Sequence, residues 1–395
     1  MKLTRDFEQV LARVGFWFVS TVFAIGLLEL GSWGALAAHG WIYSNHARRT
    51  QASPAYGQAG WVSDFRKEER SWLKARGMFV PFRLWAAREW HGKYINVDAG
   101  EVAIARRTDN PSLTGCGSAR PKSVWVFGGS TVFSTGVPDW ATMPSYLSRD
   151  LNSAGLGCAT VTNLGVDGYV TTQEMILLTE KLKEGHHPDI VVFYDGFNDA
   201  YTGMYARDPR TAFYGSDEME ARVEGTIRGR LDFLQKSHTF SLVHAIVSRL
   251  RPGSFEQAYG QANAVTIVDN YQANMKIVRA LSQGYHFAFY GFFQPHLLYG
   301  HKPMVPFERD MADAAAAGRG PVDPRPLALV YDEAARRGTN LGAVNLSALF
   351  DSVSEAVFLD QAHLGPRGNE IVADAVAKYI EEHPEGGPPP TDKEH

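Results

Sequence analysis

From Val14 to Ala38 the chain is apolar for 25 residues, interrupted by a single acid, Glu29. About 20 such residues are enough for a helix to cross the hydrocarbon core of a bilayer, so this stretch is expected to be a membrane anchor. Lys2, Arg5 and Arg13 lie ahead of it. Basic residues favour the cytoplasmic side, which puts the amino terminus inside and the rest of the chain outside. Ala35-Leu36-Ala37 also fits a cleavage site, and in that reading the segment is a signal peptide removed after export. In both readings the remainder is periplasmic or extracellular. Glu29 is costly in lipid unless it reaches the interface or a partner.

After the anchor the periodicity changes twice. Residues 46–118 read as a connector and a small accessory region. It contains an amphipathic stretch from Asp64 to Arg76 and strand-like pieces at Phe79–Phe82, Tyr94–Val97 and Glu101–Ala105. Thr108 to Pro121, with its Pro, Gly and Ser, marks a boundary. Beyond it, short apolar runs alternate with helical patterns. The runs are Ser123–Phe127, Ala159–Asn163, Asp189–Tyr194, His286–Phe293 and Gly342–Leu346. Helices are expected from Thr142 to Ser153, Thr172 to Glu184, Asp269 to Gln283 and Gly368 to Glu382. Near-continuous apolar strands alternating with helices predict an α/β domain with a parallel sheet covered on both faces. We therefore expect four parts: 1–45 with the anchor at 14–38, the accessory region 46–118, an α/β domain over 119–382, and a Pro-rich tail at 383–395. Two insertions are expected in the domain, at 201–263 and 302–325, and the tail is expected to be disordered.

Composition narrows the class only a little. A formal net charge of −4 and a charged content of 21% leave no concentrated basic surface, so no nucleic-acid partner is expected. The two cysteines, Cys116 and Cys158, form neither a metal cluster nor a CxxC redox motif.

The candidate chemistry lies where strands end. In open parallel sheets ligands bind beyond the carboxyl ends of the strands. Gly128-Gly129-Ser130-Thr131 follows the first strand, Asn163-Leu-Gly-Val-Asp-Gly168 the second, and Asp195-Gly196-Phe197-Asn198-Asp199 the third. Near the carboxyl terminus stands Asp360-Gln361-Ala362-His363. A neutral imidazole can take a serine proton, and a carboxylate can hold that imidazole in the required tautomer. Gly168 could offer a backbone N–H and Asn198 a side-chain amide to a developing oxyanion. Taken singly, each motif is more often a loop, a turn glycine, a helix cap or a surface turn. Asp199 either orients Asn198 or caps a helix. Tyr169 and Phe197, beside the oxyanion candidates, either line an acyl pocket or pack in the core.

The ordered set resembles the SGNH (GDSL-like) hydrolase family, in its membrane-anchored bacterial form. Ser130 matches that family's nucleophile block, Gly168 and Asn198 its two oxyanion blocks, and Asp360 with His363 its terminal block. The resemblance spans about residues 122–382. One position departs: the common motif is Gly-Asp-Ser, and here Gly129 replaces the aspartate. The resemblance implies a flavodoxin-like three-layer α/β/α fold, and a serine esterase with no metal or organic cofactor. It implies acylated, chiefly O-acetylated, cell-envelope carbohydrate as the substrate. An O-acyltransferase using the same triad, or a noncatalytic glycan-binding or assembly protein retaining the fold, are its alternatives. It also makes the first two strands neighbours, which brings Cys116 and Cys158 to the same sheet edge and allows a disulfide in an exported domain.

Overall fold

A computed structural model describes residues 13, 15–34, 53–75, 77–111, 120–153, 158–206, 208–223, 237–240, 242–243, 260–320 and 322–387. The chain divides into two compact units, one formed by 1–51 with 215–255 and the other by 52–214 with 256–395.

The first unit contains α1 (Gly15–Gly34), which has a mean hydropathy of 1.5 and is long and apolar enough to cross a membrane. Its one acid has partners. The Glu29 carboxylate accepts from Ser237 Oγ at 2.9 Å, Thr239 N at 3.1 Å and Thr239 Oγ1 at 2.6 Å. These bonds offset the cost of a carboxylate on an apolar helix.

In chain order the second unit begins with α2 (Val62–Ala75). Five short strands follow: β1 (Gly77–Val80), β2 (Leu84–Ala87), β3 (Trp90–His91), β4 (Asn96–Ala99) and β5 (Ile104–Arg106). Then come β6 (Lys122–Phe127), α3 (Ser130–Phe133), α4 (Met143–Ser153), β7 (Ala159–Asn163), α5 (Thr171–Lys183), β8 (Ile190–Asp195) and α6 (Phe197–Tyr205). Ser216–Val223 forms α7, in the first unit. The second unit resumes with α8 (Gln261–Tyr285), β9 (Ala288–Phe293), α9 (Pro306–Ala316), α10 (Pro324–Arg337), β10 (Val344–Asn345) and α11 (Pro366–Glu382).

The sheet order is β10-β9-β8-β6-β7-β5-β4-β3. Its five core strands β10, β9, β8, β6 and β7 are all parallel. Counted from β6 this is the 2-1-3-4-5 order of flavodoxin-like folds, as expected from the sequence. Three strands of the accessory region extend the same sheet antiparallel, with Arg106 of β5 paired to Asn163 of β7. The sheet is therefore mixed, and strands β3 to β5 share its ladder.

Alternation along the buried strands builds two cores. Trp125, Phe127, Val191 and Phe193 face Leu177 and Leu178 of α5, Ile267 and Tyr271 of α8, and Leu327 of α10. Their neighbours Val124, Val126, Ile190 and Val192 face Leu147 of α4 and Val372, Val376 and Ile380 of α11. Each strand thus fills both layers, so the runs read as continuously apolar. α8 starts earlier than the expected Asp269, because Ala264, Ile267 and Val268 continue its buried face. His383–Gly387, the start of the expected tail, is tied to the sheet: Gly387 N donates to Phe289 O and Tyr290 Oη to His383 O. Cys158 is disulfide-bonded, while Cys116 lies outside the described residues.

Candidate active site

The strand order reverses between β6 and β8, the switch point at which a crevice opens in such sheets. Both strands deliver a turn there. Gly128 and Gly129 lead from β6 into α3, placing Ser130 at its first position. A Cβ at Gly128 would lie 2.3 Å from Val132 Cγ2 and 2.4 Å from the Tyr194 carbonyl oxygen. A Cβ at Gly129 would lie 2.2 Å from Asn198 Nδ2. The volume where the common family motif carries an aspartate is here occupied by the Asn198 amide, which accounts for the glycine.

His363 Nε2 lies 2.7 Å from Ser130 Oγ, and its Nδ1 lies 2.7 Å from Asp360 Oδ2. The turn carrying these groups is closed on itself. Asp360 Oδ1 accepts from the Ala362 and His363 amides at 2.9 and 2.8 Å, and Leu359 N donates to His363 O at 2.8 Å. The strand-like approach to it is fixed by Glu308 of α9, a wholly buried acid. Its Oε1 accepts from Val357 N and Phe358 N, and its Oε2 meets Lys302 Nζ at 2.7 Å. A buried carboxylate is tolerated only when so fully partnered.

The electrostatics follow from this geometry. Burial would raise the Asp360 carboxyl, but attraction to His363 and hydrogen bonds from its ring and from two amides outweigh that and hold it at about 2. Burial would lower the His363 imidazole, but Asp360 overrides it and raises it, with Asp167 and Glu69 adding to the effect. An imidazole held this way can accept a proton from the Ser130 hydroxyl and keep it as a stabilised cation.

The other two sequence-derived site residues flank the serine. Gly168 has φ +79°, a left-handed conformation that favours glycine. Asn198 sits in the first turn of α6, whose N-cap is Gly196. Its Nδ2 donates to Tyr169 O at 2.7 Å and its Oδ1 accepts from Tyr214 Oη at 3.3 Å, which fixes the amide orientation. The Nδ2 carries a second hydrogen, and Asn198 lines the cavity beside Ser130. Asp199 caps a helix other than its own: it accepts from Thr171 N at 3.2 Å and Thr171 Oγ1 at 2.5 Å, at the start of α5. Asp199 and Asn198 together stitch the Gly168 turn to the β8 turn.

The cavity has a volume of about 470 Å³ and includes Ser130, His363, Gly168 and Asn198 in its lining. Its aromatic walls are Trp72, Trp85, Phe133 and Tyr214. Tyr169 and Phe197, read from sequence as pocket candidates, are not in that lining. Tyr169 is buried with its hydroxyl held by Arg83 and the Trp85 carbonyl, and Phe197 stacks on Tyr201 and abuts His296. Both rings belong to the hydrophobic core.

Three contributors went unread in the sequence. Arg106 of β5, only 2% exposed, donates to Asp139 Oδ1 and to the carbonyls of Phe133, Ser134 and Val137. It thereby braces the loop after Ser130. The β1–β2 hairpin supplies Trp85, Ala86 and Ala87 to the cavity. Asp167 also lines it, its carboxylate accepting from Thr135 Oγ1 at 2.7 Å. Only Asp167 had a local signal, its place in the loop after the second strand.

No family model and no curated protein matches the chain. Several solved structures do. One is LAE5, an alpha/beta hydrolase enzyme from a lake metagenome: 11% identity, 68% of this chain and 98% of that chain, TM-score 0.35. Another is Axe2, an acetylxylan esterase from Geobacillus stearothermophilus: 14% identity, 68% and 96% coverage, TM-score 0.34. A third is a member of the lipolytic protein G-D-S-L family from Veillonella parvula: 10% identity, 66% and 99% coverage, TM-score 0.34.

Proposed function

We propose that this chain is a serine esterase of the SGNH type that cleaves O-acyl, chiefly O-acetyl, esters of cell-envelope carbohydrate. The observation that carries the reading is the Ser130–His363–Asp360 relay, with both of its contacts at 2.7 Å, at the wall of an aromatic-lined cavity. As Ser130 Oγ attacks the ester carbonyl carbon, its proton passes to His363 Nε2, and Asp360 stabilises the imidazolium. The carbonyl oxygen becomes an oxyanion received by the Ser130 and Gly168 N–H groups and the Asn198 amide. Collapse breaks the bond to the alcohol, which leaves with the proton from His363. Water, deprotonated by the same imidazole, then releases the acid and restores Ser130. The step needs no metal or organic cofactor to balance. α1 would hold the enzyme at the membrane, with the site outside the cytoplasm.

Covalent labelling with a fluorophosphonate tests the nucleophile. The wild type is expected to be labelled and Ser130→Ala to remain unlabelled; a mutant labelled to the same extent removes Ser130 from the role. The pH profile tests the base. His363 must be neutral to accept the proton, so kcat/KM should fall as pH drops through its raised value. The acid limb is therefore expected to have its midpoint above the ordinary histidine value of about 6.5. A midpoint below that value would contradict the assignment.

A further inference from the structure

We propose that the tip of the β1–β2 hairpin, with Phe79, Pro81 and Phe82, inserts into an anionic lipid surface whose headgroups meet the basic residues beside it. The inference adds a second membrane contact to that of α1 and does not depend on the esterase reading.

The hairpin stands apart from the main sheet as a two-stranded ladder of its own, with Val80 paired to Leu84 at its tip. That tip is apolar and bare. Phe79 is 74% exposed and Phe82 85%, the highest values among the described large hydrophobic residues of the second unit. Pro81 between them is exposed, as is Leu73 in the last turn of α2, which leads into β1. An apolar patch of this kind marks a contact with a partner or a membrane. Nor is the tip a loose loop. Arg83 N donates to Pro81 O at 2.7 Å and Trp85 N to Arg83 O at 2.9 Å, closing two successive γ-turns. Their central residues, Phe82 and Leu84, have φ of +61° and +72°, a conformation that is unfavourable for bulky side chains. Contacts at Arg83 hold it. The guanidinium donates to Glu180 Oε2 at 2.7 Å and Tyr169 Oη at 2.8 Å, and the main-chain carbonyl accepts from Gln173 Nε2 at 2.9 Å. The fold thus fixes two phenyl rings in an exposed position.

Charge identifies the partner. From Arg70 to Arg88 the chain carries five basic residues and no acidic one, within a protein of formal net charge −4. Arg70, Lys74 and Arg88 are exposed. Aromatic rings rimmed by cations suit an anionic bilayer: the rings enter the boundary between headgroups and acyl chains, and the cations meet the phosphates. A neutral carbohydrate would use the rings but not the cations. The chain also contains α1, long and apolar enough to cross a membrane, and its reading as an anchor puts a bilayer at hand. β2 continues from the tip into the cavity wall at Trp85, Ala86 and Ala87. A seated tip therefore holds the cavity at the membrane surface.

The test places full-length protein, one copy per disc, in nanodiscs of phosphatidylcholine alone or with phosphatidylglycerol. A bimane on Pro81→Cys is read for quenching by a nitroxide on the lipid acyl chains. A bimane on Lys378→Cys of α11 is the reference away from the hairpin, and the parent protein taken through the same labelling gives the background. Quenching and a blue shift are expected at 81 and not at 378. Phe79→Ser with Phe82→Ser should abolish both at an unchanged melting temperature, since both rings are exposed. Arg70→Gln, Lys74→Gln and Arg88→Gln together should weaken insertion by roughly tenfold on anionic discs and little on neutral ones. A tip that stays accessible to water in anionic discs, or equal quenching at 81 and 378, overturns the proposal. So does shielding of the tip that appears only when discs are crowded together, which would assign this face to a second copy. A chain that does not enter discs removes α1 as an anchor, and co-sedimentation with vesicles of the same lipids then reads the hairpin alone. Binding abolished by the two Phe→Ser changes supports the proposal there, and absence of binding overturns it.

Discussion

Replacement of His363 by alanine is expected to lower kcat on an acetyl ester by roughly 10⁴- to 10⁶-fold while leaving KM within a few fold. The size of the loss follows from the role proposed for the imidazole. Without it the Ser130 hydroxyl attacks as a neutral alcohol, and the leaving alkoxide departs unprotonated. The cavity and the proposed oxyanion donors remain, so substrate should still bind and a residual rate above background should persist. Asp360→Asn should cost less, about 10³- to 10⁴-fold, because the imidazole stays in place but loses its charge partner and its enforced tautomer. It should also move the acid limb of the pH profile downward, since Asp360 is the main group holding His363 above its ordinary value against burial. The double mutant should be scarcely slower than His363→Ala alone, as expected of groups acting as one unit. Rates come from acetate release, with melting curves to confirm that each variant is folded. A His363→Ala enzyme within tenfold of wild type would require a different base.

The fold was legible because its signals are local. Five apolar runs separated by helical periodicity define the parallel strands, and their 2-1-3-4-5 order follows the family resemblance. The juxtaposition of Ser130, Gly168, Asn198 and the Asp360–His363 turn was legible for a related reason: each stands where a strand or a helix begins or ends, so its place at the carboxyl edge of the sheet follows from the alternation itself. What was not legible is held by long-range partners. Arg106 reads as one more basic residue in a short strand, and nothing near it in sequence announces that four groups between Phe133 and Asp139 meet its guanidinium. Glu308 looks like an ordinary first-turn helix acid, yet it fixes Val357 and Phe358, far along the chain. Asp199 left two readings open in sequence, and the partner that distinguishes them, Thr171, lies on another helix. Tyr169 and Phe197 also left two readings open, because proximity in sequence to a site residue says little about which side of the turn a ring occupies; both rings pack in the core.

Gly129 is where sequence comparison and structure pull apart, and restoring the common motif is expected to damage the enzyme. Gly129→Asp should reduce kcat by roughly 10²- to 10³-fold, the scale of losing one oxyanion donor, with a much smaller effect on KM. The first cause is steric. A Cβ at this position falls 2.2 Å from Asn198 Nδ2 and 3.2 Å from Tyr169 O, so the amide must leave its place between them. The second is electrostatic, because a carboxylate beside Ser130 opposes the negative charge that forms on the carbonyl oxygen. Gly129→Ala separates the two, keeping the steric effect and omitting the charge; most of the loss should already appear in it. The decisive comparison uses Asn198→Ala, expected to lose about as much as one oxyanion donor on its own. If Gly129 matters because it makes room for that amide, adding Gly129→Ala to Asn198→Ala should cost little further, a clear departure from additivity between neighbouring sites. Independent, additive losses would mean that Gly129 serves the turn into α3 and that Asn198 acts elsewhere.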